Sequence, residues 1–411
     1  MKKLKRAHAG HRGAQVRSDC FIEIALKNAG GVNVQLQSKV ASMYGDAIRR
    51  LLTEMCKHFG LHHANIFVED SGALPFTLAA RFETALRRAW PDLPAEFLPP
   101  LHARNISASA KNNFRRSRLY LPGNEPKFMI NAGLHQPDGL ILDLEDSVAP
   151  EEKDAARHLV RNALRSVDFH GAERMVRINQ GQPGLEDLRW IVPHHVQAIL
   201  LPKCESAHQV WAVEKAVAKL RAQIPAAPEI HFIPIIESAL GVVKAYAIAG
   251  ASEKNCALAI GLEDYTADLG VARTVAGLES LYARSAVINA AKATGLQALD
   301  SVFSDVNDVE GLKASVAEAK ALGFEGKGCI HPRQIRLIHE AFAPSPGEIA
   351  KAQQIVLAFE QAQRDGRGVL ALNAKMIDAP VVKKAQQTLA SRQNLMAADW
   401  RQRLTNTPEG A

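Results

Sequence analysis

At 411 residues, with 47% hydrophobic and 23% charged side chains, the chain is longer than one hydrophobic core usually organises and has the make-up of a folded globular protein, which excludes a disordered or fibrous chain. No apolar run approaches the roughly 20 residues that span a bilayer, so no membrane partner is expected. The net charge of +7 suits small anionic substrates; the basic residues are dispersed without an aromatic-and-basic stripe, which argues against nucleic acid. The N-terminus is basic but lacks the apolar stretch of an export signal, so a cytoplasmic protein is expected. Cys20, Cys56, Cys204, Cys256 and Cys329 stand singly, without a CxxC pair, and read as reduced, packed thiols with no disulfide framework or zinc site.

In chain order, residues 1–90 read as a small α+β domain. Strands are expected at Cys20–Leu26 and Val32–Leu36, joined by the turn sequence Asn28-Ala29-Gly30-Gly31 as in a hairpin. A helical stretch follows between Ser38 and Phe59, with apolar positions at Val40, Met43, Tyr44, Ile48, Leu51, Leu52 and Met55; then come a strand at Ala64–Val68 and a helix from about Pro75 to Arg88. Residues 91–114 carry four prolines and then a polar Ser/Asn run, the composition of a linker.

From residue 115 to 345, short apolar strands alternate with amphipathic helical stretches. The eight candidates are Arg118–Leu121, Leu140–Leu144, Met175–Ile178, Ala198–Leu201, His231–Ile236, Ala257–Ile260, Ala298–Val302 and Lys327–Ile330. Their spacing, mostly about 20–35 residues, fits one helix and two loops per repeat, and eight such units close a (β/α)8 barrel. Residues 346–411 remain as a C-terminal segment.

Barrel enzymes place their chemistry where the strands end. Those ends deliver Asp143, Glu145 and Asp146; Arg177; Lys203 and Glu205; Glu237; Glu263 and Asp264; Asp305; and His331. Glu237 and Asp264, on neighbouring strands, offer two hard oxygen ligands suited to Mg2+. Arg177 presents a planar fork for a carboxylate or a developing oxyanion, or else pairs with the strand-two acids. Lys203 admits imine chemistry, but the acids around it, Glu205 included, favour the protonated ammonium. His331, before Pro332, reads first as a cap that hydrogen-bonds at the end of strand eight, with a site role as the alternative.

The segments RRSRLYLPGNEPKFMINA, DGLILDLEDSVAPEEKDAAR, ERMVRINQ, ILLPKCES, IPIIESALGV, AIGLEDYTADLG, GFEGKGCIHPRQI and KMIDAPVVKKA resemble the citrate lyase β-subunit family, grouped with the malyl-CoA lyase-like and HpcH/HpaI-type aldolases. The resemblance implies a Mg2+-dependent TIM barrel with a C-terminal helical lid, cleaving a β-hydroxyacyl thioester of the citryl-ACP or citryl-CoA type to an acetyl thioester and a 2-oxoacid such as oxaloacetate. It assigns the metal to Glu237 and Asp264, the substrate arginine to Arg177, and an acid on a lid covering a neighbouring subunit's site to Asp378, hence a homo-oligomer, trimer or hexamer. Asp143, Glu145 and Asp146 then fall behind the site, orienting water and Arg177.

SDCFIEI, GGVNVQLQSKV, YGDAIRR and GALPFTLAARFETALRR resemble the acyl-carrier (γ) subunit of citrate lyase, which implies a fused carrier and lyase and an α-like transferase subunit as partner. The carrier family loads phosphoribosyl-dephospho-CoA on a serine two residues before an aspartate; here Arg17 holds that place and Ser18 directly precedes Asp19. Attachment shifted to Ser18, or a carrier kept for docking alone, are the alternatives. The second suits a stand-alone lyase for malyl-CoA, methylmalyl-CoA or citramalyl-CoA; a non-catalytic scaffold subunit is the remaining reading.

Overall fold

The computed structural model describes residues 6–224, 228–364, 370–372 and 375–389. They form two compact units, Met1–Ile338 and His339–Ala411.

The first unit begins with a four-stranded sheet of β1 (Arg6–Ala9), β2 (Cys20–Leu26), β3 (Val32–Ser38) and β4 (Ala64–Asp70) in the order β1-β2-β4-β3. The expected hairpin is absent, because β4 lies between β2 and β3, antiparallel to the first and parallel to the second. The Gly-containing turn wraps the end of β4 instead: Lys27 N–H donates to the His63 carbonyl at 2.9 Å and Gly31 N–H to His63 Nδ1 at 3.0 Å. β3 and β4 are joined through helix α1 (Ala41–His58), which packs Ile48, Leu52, Met55 and Cys56 inward and leaves Met43 and Tyr44 exposed. β1 was not foreseen; its sequence RAHA carries no alternating pattern.

Helix α2 (Pro75–Ala89) is buried on every side from Phe76 to Leu86, although it contains Arg81, Glu83 and Thr84. One face (Leu78, Ala79, Phe82, Ala85, Leu86) belongs to the core of the small sheet. The other packs on the barrel helix α3 (Lys153–Ser166), where the polar groups find partners. Glu83 accepts from Arg161 Nη1 at 3.1 Å and Nη2 at 2.7 Å and from Arg87 Nε at 2.9 Å. Thr84 Oγ1 and His158 Nδ1 are 2.8 Å apart, and Arg88 pairs with Asp154 at 2.6 Å. Within the segment that follows, Asn105 Nδ2 donates to the carbonyls of Leu164 and Val167, strapping the chain to the end of α3.

The barrel closes through eight parallel strands: β5 (Ser117–Pro122), β6 (Gly139–Asp143), β7 (Glu173–Arg177), β8 (Ala198–Leu201), β9 (His231–Ile236), β10 (Ala257–Ile260), β11 (Gln297–Asp300) and β12 (Gly326–Cys329). β12 returns to β5 with Lys327 beside Ser117. Ile141, Met175, Ala198, Leu200, Ile233, Ile235, Ala257, Ala259 and Leu299 fill the interior, with Tyr120 packed against them. All five cysteines are free and buried. Among the described residues no helix is long and apolar enough to cross a membrane.

The second unit contains the helix Pro346–Arg364, an antiparallel pair of short strands (Leu370–Leu372 and Lys375–Ile377) and a helical stretch at 379–389. Ala352, Ile355, Ile377, Val382 and Ala385 form its own small core.

Candidate active site

A cavity of about 470 Å³ opens at the C-terminal ends of the barrel strands and gathers Asp143, Asp146, Arg177, Glu237 and Asp264 around its walls. Glu237 follows β9 directly and is only 6% exposed. Its Oε2 accepts the Lys203 backbone N–H at 2.8 Å, and a Cβ at Gly261 would collide with its carboxylate, so the glycine after β10 makes room for it. Burial pushes the Glu237 carboxyl up to about 7, the Lys203 N–H partly opposes this, and the charge of Asp264 adds to the rise. Asp264 stands in the first turn of helix Leu262–Leu269, half open to solvent.

These properties fit a bound divalent cation. Glu237 is buried beside a second carboxylate and has no ion-pair partner among the described residues, and a cation would reverse the rise in its pKa. Among the described residues no three His, Cys, Asp or Glu side chains converge as a ready-made ligand cage. A cation here would take Glu237 and Asp264 and complete its shell from water and substrate, as Mg2+ commonly does.

Arg177, the last residue of β7, lies in a fork of acids. Its Nε and Nη2 donate to Asp143 at 2.7 and 2.8 Å, its Nη1 lies 3.1 Å from Glu145, and its guanidinium carbon stands 5.3 Å over the Tyr120 ring. Asp143 is itself fixed by the N–H groups of Glu145 and Ser147 and by the Ser147 hydroxyl at 2.5 Å. Although burial opposes ionisation of Asp143, Arg177 and these donors hold it below the usual carboxylate range. Glu145 also accepts from Gln180 Nε2 at 2.9 Å. The ion pair and the cavity position therefore coexist: since a guanidinium has five N–H donors, Arg177 keeps some free while the acids set its plane.

Lys203 Nζ lies 3.2 Å from Glu145, 3.5 Å from Asp146 and 3.4 Å from Asp264. Burial would lower its pKa, but those three acids outweigh it and hold the ammonium well above its ordinary value. Glu205 is not among them, since its carboxylate accepts the Ser238 hydroxyl at 2.6 Å. His331 Nδ1 accepts the Arg333 N–H at 3.1 Å, at the start of helix Arg333–Phe342. Asp305 accepts the Asn307 N–H, a local turn contact. In the second unit, Asp378 is half-buried and begins the stretch 379–389, its Oδ1 accepting the Val381 N–H at 3.3 Å.

Ser18 adopts a left-handed backbone (φ 56), is half-buried, and donates its N–H to the Ser71 carbonyl at 3.0 Å. The adjoining Asp19 is buried in a pair with Arg81 (3.0 and 2.9 Å) and accepts from or pairs with His11 at 2.9 Å. Arg81 also donates to the Asn124 carbonyl at 2.7 Å, which ties this end of the small sheet to the loop after β5.

Sequence reasoning missed Ser147, Gln180 and Arg118. Ser147 completes an alternating Asp143-x-Glu145-x-Ser147 pattern and was detectable; Gln180 and Arg118 meet their neighbours only in the closed barrel.

Residues 116–332 match the family model described as HpcH/HpaI aldolase/citrate lyase, and residues 5–89 match that of the malonate decarboxylase delta subunit (MdcD), an acyl-carrier-type family. The citrate lyase subunit beta of Haemophilus influenzae is 40% identical over 67% of this chain and 96% of its own length. Human mitochondrial citramalyl-CoA lyase is 35% identical over 72% of this chain and 92% of its own. Among solved structures, CitE from Mycobacterium tuberculosis in complex with magnesium, acetoacetate and coenzyme A is 32% identical, with a TM-score of 0.58, covering 69% of this chain and 99% of that one. The same protein with magnesium and pyruvate gives 30% identity and a TM-score of 0.51, covering 68% of this chain and 100% of that one.

Proposed function

We propose that this chain, which belongs to the HpcH/HpaI aldolase/citrate lyase family, is a Mg2+-dependent lyase that cleaves a β-hydroxyacyl thioester of the citryl type to an acetyl thioester and a 2-oxoacid. The observation that carries the reading is the cavity in which the buried carboxylate of Glu237 and the carboxylate of Asp264 face a guanidinium whose plane is set by Asp143 and Glu145. Glu237 and Asp264 hold the cation, which when bound polarises the substrate's hydroxyl and adjacent carboxylate. Cleavage breaks the carbon–carbon bond, turns that alcohol into a ketone as its hydroxyl proton passes to a base at the site, and leaves the thioester's α-carbon as an enolate that takes up one proton, so that protons balance. The site must therefore hold negative charge and then deliver a proton. Arg177 meets the first need with the donors its acid partners leave free; because those acids fix it in advance, little reorganisation accompanies the reaction. Asp378 meets the second, offered by the C-terminal unit of a neighbouring subunit in a cytoplasmic homo-oligomer. Lys203, held protonated, serves as a fixed positive charge and not as an imine-forming amine.

Free CoA thioesters are the substrates favoured by the small domain. Arg17 stands where the carrier family has its loaded serine, and the neighbouring Asp19 is locked to Arg81. The direct test compares Glu237→Gln and Asp264→Asn with the unaltered protein, by calorimetry with Mg2+ and by cleavage of citryl-CoA. Both variants are expected to lose metal binding and at least about 100-fold in turnover while keeping the melting midpoint. Undiminished Mg2+ binding in both would remove these residues from the metal site.

A further inference from the structure

The floor of the same cavity carries a cation that the mechanism above does not use. Arg118, on β5, shares a strand face with Tyr120, whose ring packs with the residues filling the barrel interior. Its partners in register are Gly139 on β6 and Gly328 on β12, which bring no side chain of their own, and the Met175 and Val302 side chains pack where their Cβ atoms would stand. Three other arginines are as fully buried, and each is neutralised: Arg81 by Asp19, Arg115 by Glu173 and Arg161 by Glu83. Arg118 has no such partner among the described residues. Nη2 donates to the main-chain carbonyl of Asp300 at 2.9 Å, and Nε, buried, has no hydrogen-bond partner. Lys327 at 2.7 Å and Arg284 at 3.1 Å both hold Oδ2 of the Asp300 side chain, while its buried Oδ1 has no hydrogen-bond partner, so Asp300 meets Arg118 through its main-chain carbonyl alone. Asp300 thus carries two cations on one carboxylate oxygen, and Arg118, at the cavity wall, has no carboxylate paired with it among the described residues. An unpaired buried guanidinium is costly, which makes it a receptor for an anion that the free protein lacks.

Substrate geometry says which anion fits. The hydroxyl-bearing carbon carries the hydroxyl, its adjacent carboxylate, the thioester arm and one further substituent. The first two belong at Glu237 and Asp264, and the thioester arm, extended by its carrier, has to leave through the open mouth. The remaining substituent is the one directed toward the floor. We propose that Arg118 is a specificity-determining residue, which binds a second carboxylate on the oxoacid portion of the substrate and so selects thioesters that release a 2-oxo dicarboxylate. This deepens the proposed function and rests on its placement of the hydroxyl and first carboxylate.

The test is the ratio of kcat/KM for citryl-CoA to that for citramalyl-CoA, which differ in a carboxymethyl against a methyl group at this position, measured with Mg2+ for the unaltered protein, Arg118→Met and Arg118→Lys. The unaltered protein should favour citryl-CoA at least about 100-fold, because a buried group built to pair with a charge rejects the analogue lacking it. Arg118→Met should bring the ratio close to one. Arg118→Lys, which keeps the charge but not the fork, should retain an intermediate preference, and decides the matter if the methionine variant does not fold. Absence of preference in the unaltered protein, or a ratio that neither variant changes, overturns the subsite and leaves the lyase reading standing. Failure of the unaltered protein to cleave either thioester sinks the lyase reading, and the subsite with it.

Discussion

Replacing Glu83 by glutamine removes one negative charge from the seam between the small sheet and the barrel while keeping the shape of the side chain. Glu83 and Arg161 are both fully buried, and the carboxylate also takes the Phe97 N–H at 3.1 Å. In the variant the one carboxylate left to Arg161 among the described residues is Glu96, at 3.5 Å and partly in solvent, beside the neutral oxygens of Asn162 and Phe97. Breaking a buried pair from one side costs about 3–5 kcal/mol. For a cooperative unit spanning Met1–Ile338, an unfolding entropy of about 2.1 cal/mol/K per residue turns this into a fall of roughly 4–7 °C in melting midpoint. The pH dependence supplies a second signature. Burial opposes ionisation of Glu83, but Arg161, with His158 and Arg87, holds it down to about 2 against an ordinary 4.5. The folded group binds its proton less readily than the unfolded one, so its contribution is complete above 4.5 and is lost as pH falls toward about 2, a change of about 3 kcal/mol. Burial likewise depresses His158 from 6.5 to about 3, with Glu83 opposing, and its penalty grows as pH falls through that interval. Calorimetric melting from pH 7 to 3 should show the unaltered protein losing stability throughout, and Glu83→Gln starting lower but losing less below 4.5. A variant that melts with the unaltered protein at pH 7 would refute the seam as a source of stability.

Two further outcomes concern assembly and loading. Mixing Asp378→Ala with Arg177→Ala should restore part of the activity in hybrid oligomers; exchange of subunits without rescue would show that each site is completed within one chain. The protein purified from its own source should have the mass of the bare chain, since Ser18 is half-buried with its N–H tied to Ser71 and Arg17 occupies the attachment position. A phosphoribosyl-dephospho-CoA arm found on Ser18 by peptide mass spectrometry would overturn this.

Much of this molecule is legible from local pattern. The eight barrel strands fall within two residues of where the short runs place them, because a parallel strand buried on both faces is mostly apolar between polar loops, although β5 and β12 also bury Arg118 and Lys327. The same logic picks out Asp143, Arg177, Glu237 and Asp264, since an ionisable residue at the end of such a strand has only the rim to occupy. Pairing is another matter. The turn after Leu26 looks like a hairpin, yet β4, some forty residues from β2, separates the two strands, because burying one sheet face under α1 and α2 outweighs the local turn preference. Likewise, nothing in the alternation of α2 indicates that Glu83 and Thr84 are buried; they become so only when α3 supplies Arg161 and His158. Arg118 shows the limit most clearly. Along the chain it is one basic residue among many, and its lack of an ion-pair partner is a property of closure, which sets it between Gly139 and Gly328 and against the main-chain carbonyl of Asp300. Sequence determined which side chains reach the rim, because strand ends are local; tertiary structure decided which of them are paired and which charge is left over, because burial and neutralisation depend on residues far apart in the chain.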